Sequence, residues 1–144
     1  MSRVVFDTCV FIAYKPDLPA GSFLSIVVIQ ELMAGSSDAS ELKTWEATAK
    51  KFGKENRLLV PTNEDWLLAG RVLNSLLRGL KSKSGGKTPK LPPGEIQRII
   101  RDVLIARTVR RVNGLLVTDN LADFKRIKKF CDVRLMSGKN FFGS

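Results

Sequence analysis

The chain has 144 residues, 44% of them apolar, and a formal charge of +10 from 24 lysines and arginines against 14 acids. That length suits one domain, residues 1–144, around one core, and the composition is too apolar for a disordered chain. It contains no histidine, which excludes Ser-His-Asp and Cys-His nucleophile systems, HExxH zinc sites and two-histidine ribonuclease chemistry.

What remains for an enzyme is carboxylate chemistry, in which acids hold a hard cation such as Mg²⁺ or Mn²⁺. The basic excess favours a polyanionic partner, either nucleic acid or an acidic protein. Cys9 and Cys131 lack CxxC spacing and read as buried or incidental thiols. No apolar run approaches the roughly 20 residues of a membrane span. The opening MSRVVFD reaches an acid too soon for a secretory signal. A cytoplasmic protein with no membrane association is expected.

In chain order, RVVF at 3–6 predicts a short buried strand ending at Asp7. After the Pro/Gly-containing KPDLPAGS, residues 22–25 read as a strand or strand end. Ser25 then caps a short helix to about Ala34, which Gly35 stops. Residues 38–55 have helical spacing, with Leu42, Trp45, Ala49 and Phe52 on one stripe. LLVP at 58–61 reads as a strand. Asn63 is the expected cap of the next helix, with Trp66, Ala69, Leu73, Leu76, Leu77 and Leu80 as its apolar face. Residues 81–94 combine glycine, proline and four lysines, and predict a flexible basic loop. EIQRIIRDVLIARTVRRVN is a long helix with Ile99, Val103, Ala106 and Val109 inward, ended by Gly114. A strand at 115–118, a short helix at 120–130 and a last strand at 132–136 complete the chain.

Short apolar strands alternating with helices predict an α/β fold: a central, mostly parallel sheet with helices on both faces. Such folds bind ligands outside the carboxyl ends of the strands. Asp7 and Asp119 directly follow VVF and LLVT at two such ends. Glu31 lies one turn beyond the apolar SIVVI. Asp102 sits between the inward positions Ile99 and Ala106. Removing a carboxylate from water costs several kcal/mol unless it is paired or bound to metal. Converging acids at strand ends therefore argue for a cation that polarises a phosphoryl oxygen and activates water. Each acid also has a structural alternative. Asp7 and Asp119 suit helix caps, Glu31 a solvated helix acid, and Asp102 an ion pair with Arg98 or Arg101.

The set VVFDTCVFI, SIVVIQELMAG, RDVLIARTVRR and LLVTDNLADFKRI resembles the PIN-domain ribonucleases, and within them the VapC-type toxins of prokaryotic toxin–antitoxin pairs. The resemblance runs in order along essentially the whole chain. It implies that Asp7, Glu31 and Asp102 are catalytic, with Asp7 and Asp102 on the metal. The fourth acid is ambiguous within TDNLADF. Asp119 ranks first, with Asn120, which stands at the family's T-x-D/N position, and Asp123 as alternatives. Thr118 and Ser25 match small hydroxyl positions that orient acids or water. Cys9 departs from the asparagine common after D-T. The resemblance further implies Mg²⁺- or Mn²⁺-dependent endonucleolytic cleavage of RNA such as tRNA or rRNA, a homodimer, and a small cognate antitoxin that blocks the site.

Arg98, Arg101 and Arg107 on the helix of Asp102, and Lys125 and Arg126 after the TDN turn, are candidate RNA-phosphate contacts. Phe6, Phe11 and Phe124 read as core. Two other readings stand beside the toxin nuclease. One is a PIN nuclease of RNA processing or DNA cleavage. The other is a non-catalytic basic nucleic-acid-binding domain with a degenerate acidic site.

Overall fold

The computed structural model describes residues 3–87 and 91–143. Its centre is a parallel sheet. β1 (Val4–Phe6) pairs with β4 (Leu115–Val117), which pairs on its other edge with β5 (Arg134–Met136). A second parallel pair joins β2 (Leu24–Ser25) to β3 (Leu58–Leu59). The parallel bridge Val5–Phe23, with Phe23 N–H donating to the Val4 carbonyl at 2.9 Å, ties the two pairs together. The strands thus run in the order β3-β2-β1-β4-β5. Parallel neighbours need crossover connections, and the helices supply them.

Those helices are α1 (Thr8–Tyr14), α2 (Ile26–Ala34), α3 (Ala39–Lys54), α4 (Asn63–Lys83), α5 (Glu95–Arg111), α6 (Leu121–Arg126) and α7 (Gly138–Phe142). The expected α/β architecture is present, a parallel sheet flanked by helices. Its core joins Val5 and Leu116 of the sheet to Val10, Val28, Val72, Val103, Ile105 and Val109 of the helices, all fully buried. α5 carries the most buried residues of any helix, and Asp102 is among them. None of the described helices is long and apolar enough to cross a membrane.

Several elements differ from the sequence expectation. TCVFIAY, to which the sequence reading assigned no element, forms a helix, as the cap reading of Asp7 allowed. Asp7 adopts β-region angles and accepts from Thr8 N–H, so the chain turns into α1 at once. The α4 cap is Thr62, one residue earlier than expected, in a capping box with Asp65. The buried stripe of α4 is Asp65, Ala69 and Val72, which leaves Trp66 55% exposed. That rotation has a cause: buried Asp65 receives Arg107 and Arg111 from α5, and these ion pairs turn the indole outward. α4 also runs through Lys83 into the expected loop. Thr88, Pro89 and Lys90 of that loop lie outside the described residues. α3 buries Ala49 and Phe52 but exposes Leu42. β3 and α6 are shorter than expected. α7 was not anticipated; Ser137 caps it through Asn140 N–H at 3.1 Å, and its Phe141 and Phe142 pack on Phe6.

Gly114 marks the tightest junction. A Cβ there would stand 3.0 Å from Val109 Cγ1 and 3.2 Å from the Arg3 carbonyl oxygen. This close approach lets the chain leave α5 and enter β4 directly beside β1.

Candidate acidic site

The register of β1 and β4 pairs Phe6 with Val117. The next residues, Asp7 and Thr118, therefore emerge side by side at the carboxyl ends of both strands. Thr118 Oγ1 donates to Asp7 Oδ2 at 2.7 Å, and Thr8 N–H donates to Asp7 Oδ1 at 2.8 Å. Both Asp7 and Thr118 are completely buried. Asp7 is thus the cap of α1 and also faces the acid cluster, so the cap reading of it does not exclude the other one.

α2 delivers Glu31, whose Oε1 accepts from Thr8 Oγ1 at 3.0 Å. α5 delivers Asp102, 1% exposed. Between these acids lies the Arg101 guanidinium, which binds all three. Nη2 donates to Asp7 Oδ1, Nε to Glu31 Oε1 at 2.5 Å, and Nη1 to Asp102 Oδ1 at 2.8 Å. Burial alone would lower the Arg101 pKa, but the charges of Asp7 and Glu31 outweigh it and hold the guanidinium above its ordinary value. Burial pushes the Asp102 carboxyl up to about 7 against the opposing pull of Arg101, with Asp123 and Asp7 adding to the rise. Asp102 Oδ2 is buried and has no hydrogen-bond partner among the described residues.

Glu31 and Arg101 of this cluster line an open cleft of ≈ 640 Å³, together with Thr8, Gln97, Arg98 and Asp123, and Asp7 and Asp102 lie buried behind them. Of the three neighbours in TDNLADF, Asn120 and Asp123 line this cleft. Asp119 faces the other way: its Oδ1 accepts from Gly138 N–H at 2.8 Å, at the start of α7. It also lies beside Tyr14, whose phenol is raised in pKa by desolvation and by this carboxylate. Asn120 N–H is held by Thr118 Oγ1 at 3.0 Å. Ser25 caps α2 through Val28 N–H at 3.4 Å and so orients the helix of Glu31 rather than touching the acids.

The basic residues divide in the same way. Arg98 and Arg101 line the cleft. Arg107 is paired with Asp65, and Arg126 with Glu95, which also holds Arg98 at 3.2 Å. Lys125 is exposed on α6. Sequence reasoning placed Arg101 on RNA or on Asp102 alone and missed its bridge to Asp7 and Glu31. Residues from β1, α2 and α5 meet there, and no local pattern reports such a meeting.

Among the described residues, no three acids or cysteines converge closely enough to hold a metal ion as they stand. The donor set is nevertheless all hard oxygen, which suits Mg²⁺ or Mn²⁺, and Asp102 Oδ2 is an unused buried acceptor. A guanidinium spreads its donors more widely than one ion whose ligands sit roughly 2.0–2.1 Å away.

No family model matches the chain, and no curated protein matches it. Solved structures do. VapBC-1 from nontypeable Haemophilus influenzae is 18% identical over 94% of this chain and 98% of that one, with a TM-score of 0.56. DNA-bound VapBC from Salmonella typhimurium is 19% identical over 96% and 99%, with a TM-score of 0.53. FitAcB from Neisseria gonorrhoeae is 14% identical over 94% and 97%, with a TM-score of 0.52. At these identities the likeness is one of fold. The resemblance to VapC-type PIN toxins is corrected accordingly: without a matching family model or curated relative, the chain is not assigned to that family. The motif residues themselves explain part of the resemblance, because Asp7 and Ser25 serve as helix caps that this fold needs in any case.

Proposed function

We propose that the chain is a metal-dependent endoribonuclease that cleaves RNA phosphodiesters in the acidic cleft. The observation that carries this reading is the convergence of Asp7, Glu31 and Asp102, from three separate elements, on one cationic group that lines an open cleft. Three carboxylates around one guanidinium leave the cluster short of positive charge when all are ionised.

Asp7 and Asp102 would hold a Mg²⁺ or Mn²⁺ ion, with Glu31 and Asp123 beside it. The chemistry such an ion supplies is charge neutralisation and polarisation of the scissile phosphate. Thr118 Oγ1 and Thr8 N–H keep the Asp7 carboxylate in place, so its geometry does not reorganise when substrate arrives. Arg98 and Lys125 supply positive charge for the phosphates that flank the cut. The fold-sharing VapBC and FitAB complexes, some bound to DNA, support a small partner protein and a second copy of the chain as further partners.

The test is cleavage of tRNA, rRNA and single-stranded RNA by purified protein with Mg²⁺ or Mn²⁺. Cleavage that survives excess EDTA, or that is undiminished in Asp7→Asn and Asp102→Asn, would sink the reading. A second reading has its own observation: Arg101 already neutralises the acids, as in a domain that binds nucleic acid without cutting it. It predicts salt-sensitive RNA binding with no product under Mn²⁺.

A further inference from the structure

We infer that Arg101 is an exchangeable counter-cation: its guanidinium neutralises the acid cluster at rest and moves to a phosphate of the nucleic acid as a divalent cation takes its place. This rests on the reading above that the cluster accepts such a cation. It adds that the cation and the phosphodiester bind cooperatively, through one side chain.

Charge gives the first reason. Asp7, Glu31 and Asp102 carry three negative charges when ionised and the guanidinium one positive, a net charge of −2 (−3 + 1). A dication in place of the guanidinium leaves −1 (−3 + 2), so the exchange neutralises one more charge. The dication cannot share the same oxygens with Arg101, because cations in contact inside a buried site repel strongly. Entry of one requires exit of the other.

Hydrogen bonding gives the second. The guanidinium satisfies Asp102 Oδ1 and leaves the buried Oδ2 without a partner. Arg101 is therefore an incomplete occupant, and a further ligand to that oxygen is favoured.

The third reason is the exit. The Arg101 side chain keeps 16% exposure and borders two openings, the polar cleft and an adjoining groove of ≈ 460 Å³. The cleft that it borders is also lined by Gln97 and Arg98. Guanidinium recognises phosphate by the same forked geometry it uses for carboxylate. Any ligand that draws Arg101 outward raises affinity for a cation inside, and linkage makes the effect reciprocal.

The experiment measures Mn²⁺ binding to the full chain by calorimetry and by electron paramagnetic resonance of the free ion. It is run with and without a DNA oligonucleotide, at concentrations where gels show no cleavage. For the native chain, the oligonucleotide tightens Mn²⁺ binding about tenfold. Arg101→Gln binds Mn²⁺ about tenfold more tightly than the native chain without oligonucleotide, and the oligonucleotide no longer changes it. Arg101→Lys, which keeps the charge but loses the three-way bridge, falls between. Because Arg101→Gln leaves unpaired acids, its folding is followed by circular dichroism, with Mn²⁺ expected to raise its melting temperature more than the native chain's. Arg101→Lys carries the comparison if Arg101→Gln does not fold. Equal or weaker Mn²⁺ binding in the variants overturns the exchange and makes Arg101 a fixed strut. Saturable Mn²⁺ binding absent from the native chain and from both variants instead overturns the metal reading itself.

Discussion

Asp102 offers one oxygen to Arg101 at 2.8 Å and leaves its second oxygen buried and unpartnered. Adjacent helix residues do not ordinarily face each other. Here the guanidinium folds back over the carboxylate because Asp7 and Glu31 hold its other nitrogens. Asp102 is thus supported from one side only. Asp102→Asn and Asp7→Asn should each lower Mn²⁺-dependent cleavage on the order of 10²-fold or more, the scale set by losing several kcal/mol of charge stabilisation. Circular dichroism should stay native for both. Full activity in either variant would remove that acid from the site.

Asp119 and Asp123 make the sharpest contrast. Asp123 lines the cleft, whereas Asp119 holds the start of α7 through Gly138 N–H. Asp123→Asn should weaken Mn²⁺ binding and leave the melting temperature nearly unchanged. Asp119→Ala should do the reverse, with a loss of about 1.5–3 kcal/mol of stability from the lost hydrogen bond to a charged acceptor. Calorimetric titration and thermal melts on the pair decide it. The opposite pattern would restore Asp119 to the site.

Asp65 sets a pH dependence far from the cleft. Burial alone would raise its pKa, but hydrogen bonds from Arg111, Thr62 N–H and Arg107 outweigh it and hold the carboxyl below its ordinary value. A depressed folded pKa means that the unfolded chain binds the proton more tightly. The contribution is therefore present above the ordinary carboxylate value of 3.8 and is lost as pH falls through the folded value. Asp65→Ala should cost about 2–4 kcal/mol at neutral pH, through the lost capping box and ion pairs. Denaturant melts below pH 4 should show the gap to the native chain narrowing. A constant gap would assign the effect to packing.

The arginines separate binding from stability. Arg98→Ala and Lys125→Ala should weaken RNA binding and each reduce the slope of log affinity against log salt by about 1, with Arg98→Ala also losing its pair with Glu95 and so some stability. Arg107→Ala and Arg126→Ala remove partners of the buried acids Asp65 and Glu95, and should lower stability while leaving the salt slope alone. Filter binding across a salt series, beside thermal melts, distinguishes the two pairs. Equal slopes in all four variants would refute the division.

The strand–helix alternation was legible in the sequence because burial on both faces leaves continuous apolar runs, and those runs end where the acids begin. Asp7 follows VVF, and the parallel register places it beside Thr118, which follows LLVT. Ser25 and Gly35 were readable as helix ends because capping is local chemistry. The orientation of α4 was not. Its stripe is set by Asp65 meeting arginines 42 and 46 residues away, and that pairing turns Trp66 to solvent against its apolar character. The short helix α7 escaped, and α1 was legible only through the cap reading of Asp7, because a few residues show no full helical period and their caps and packing partners decide them.

The same division runs through the acidic site. By itself the sequence determined that an enzyme of this composition works through carboxylates, and which strands and helices carry Asp7, Glu31 and Asp102. Residue type and local period are enough for that. Only the tertiary structure decided that Asp123 rather than Asp119 lines the cleft, and that Arg101 stands among the acids. Those outcomes depend on where β1, α2, α5 and α7 meet in space. Electrostatic pairing between distant segments acts over a few ångströms of separation and is invisible to spacing along the chain.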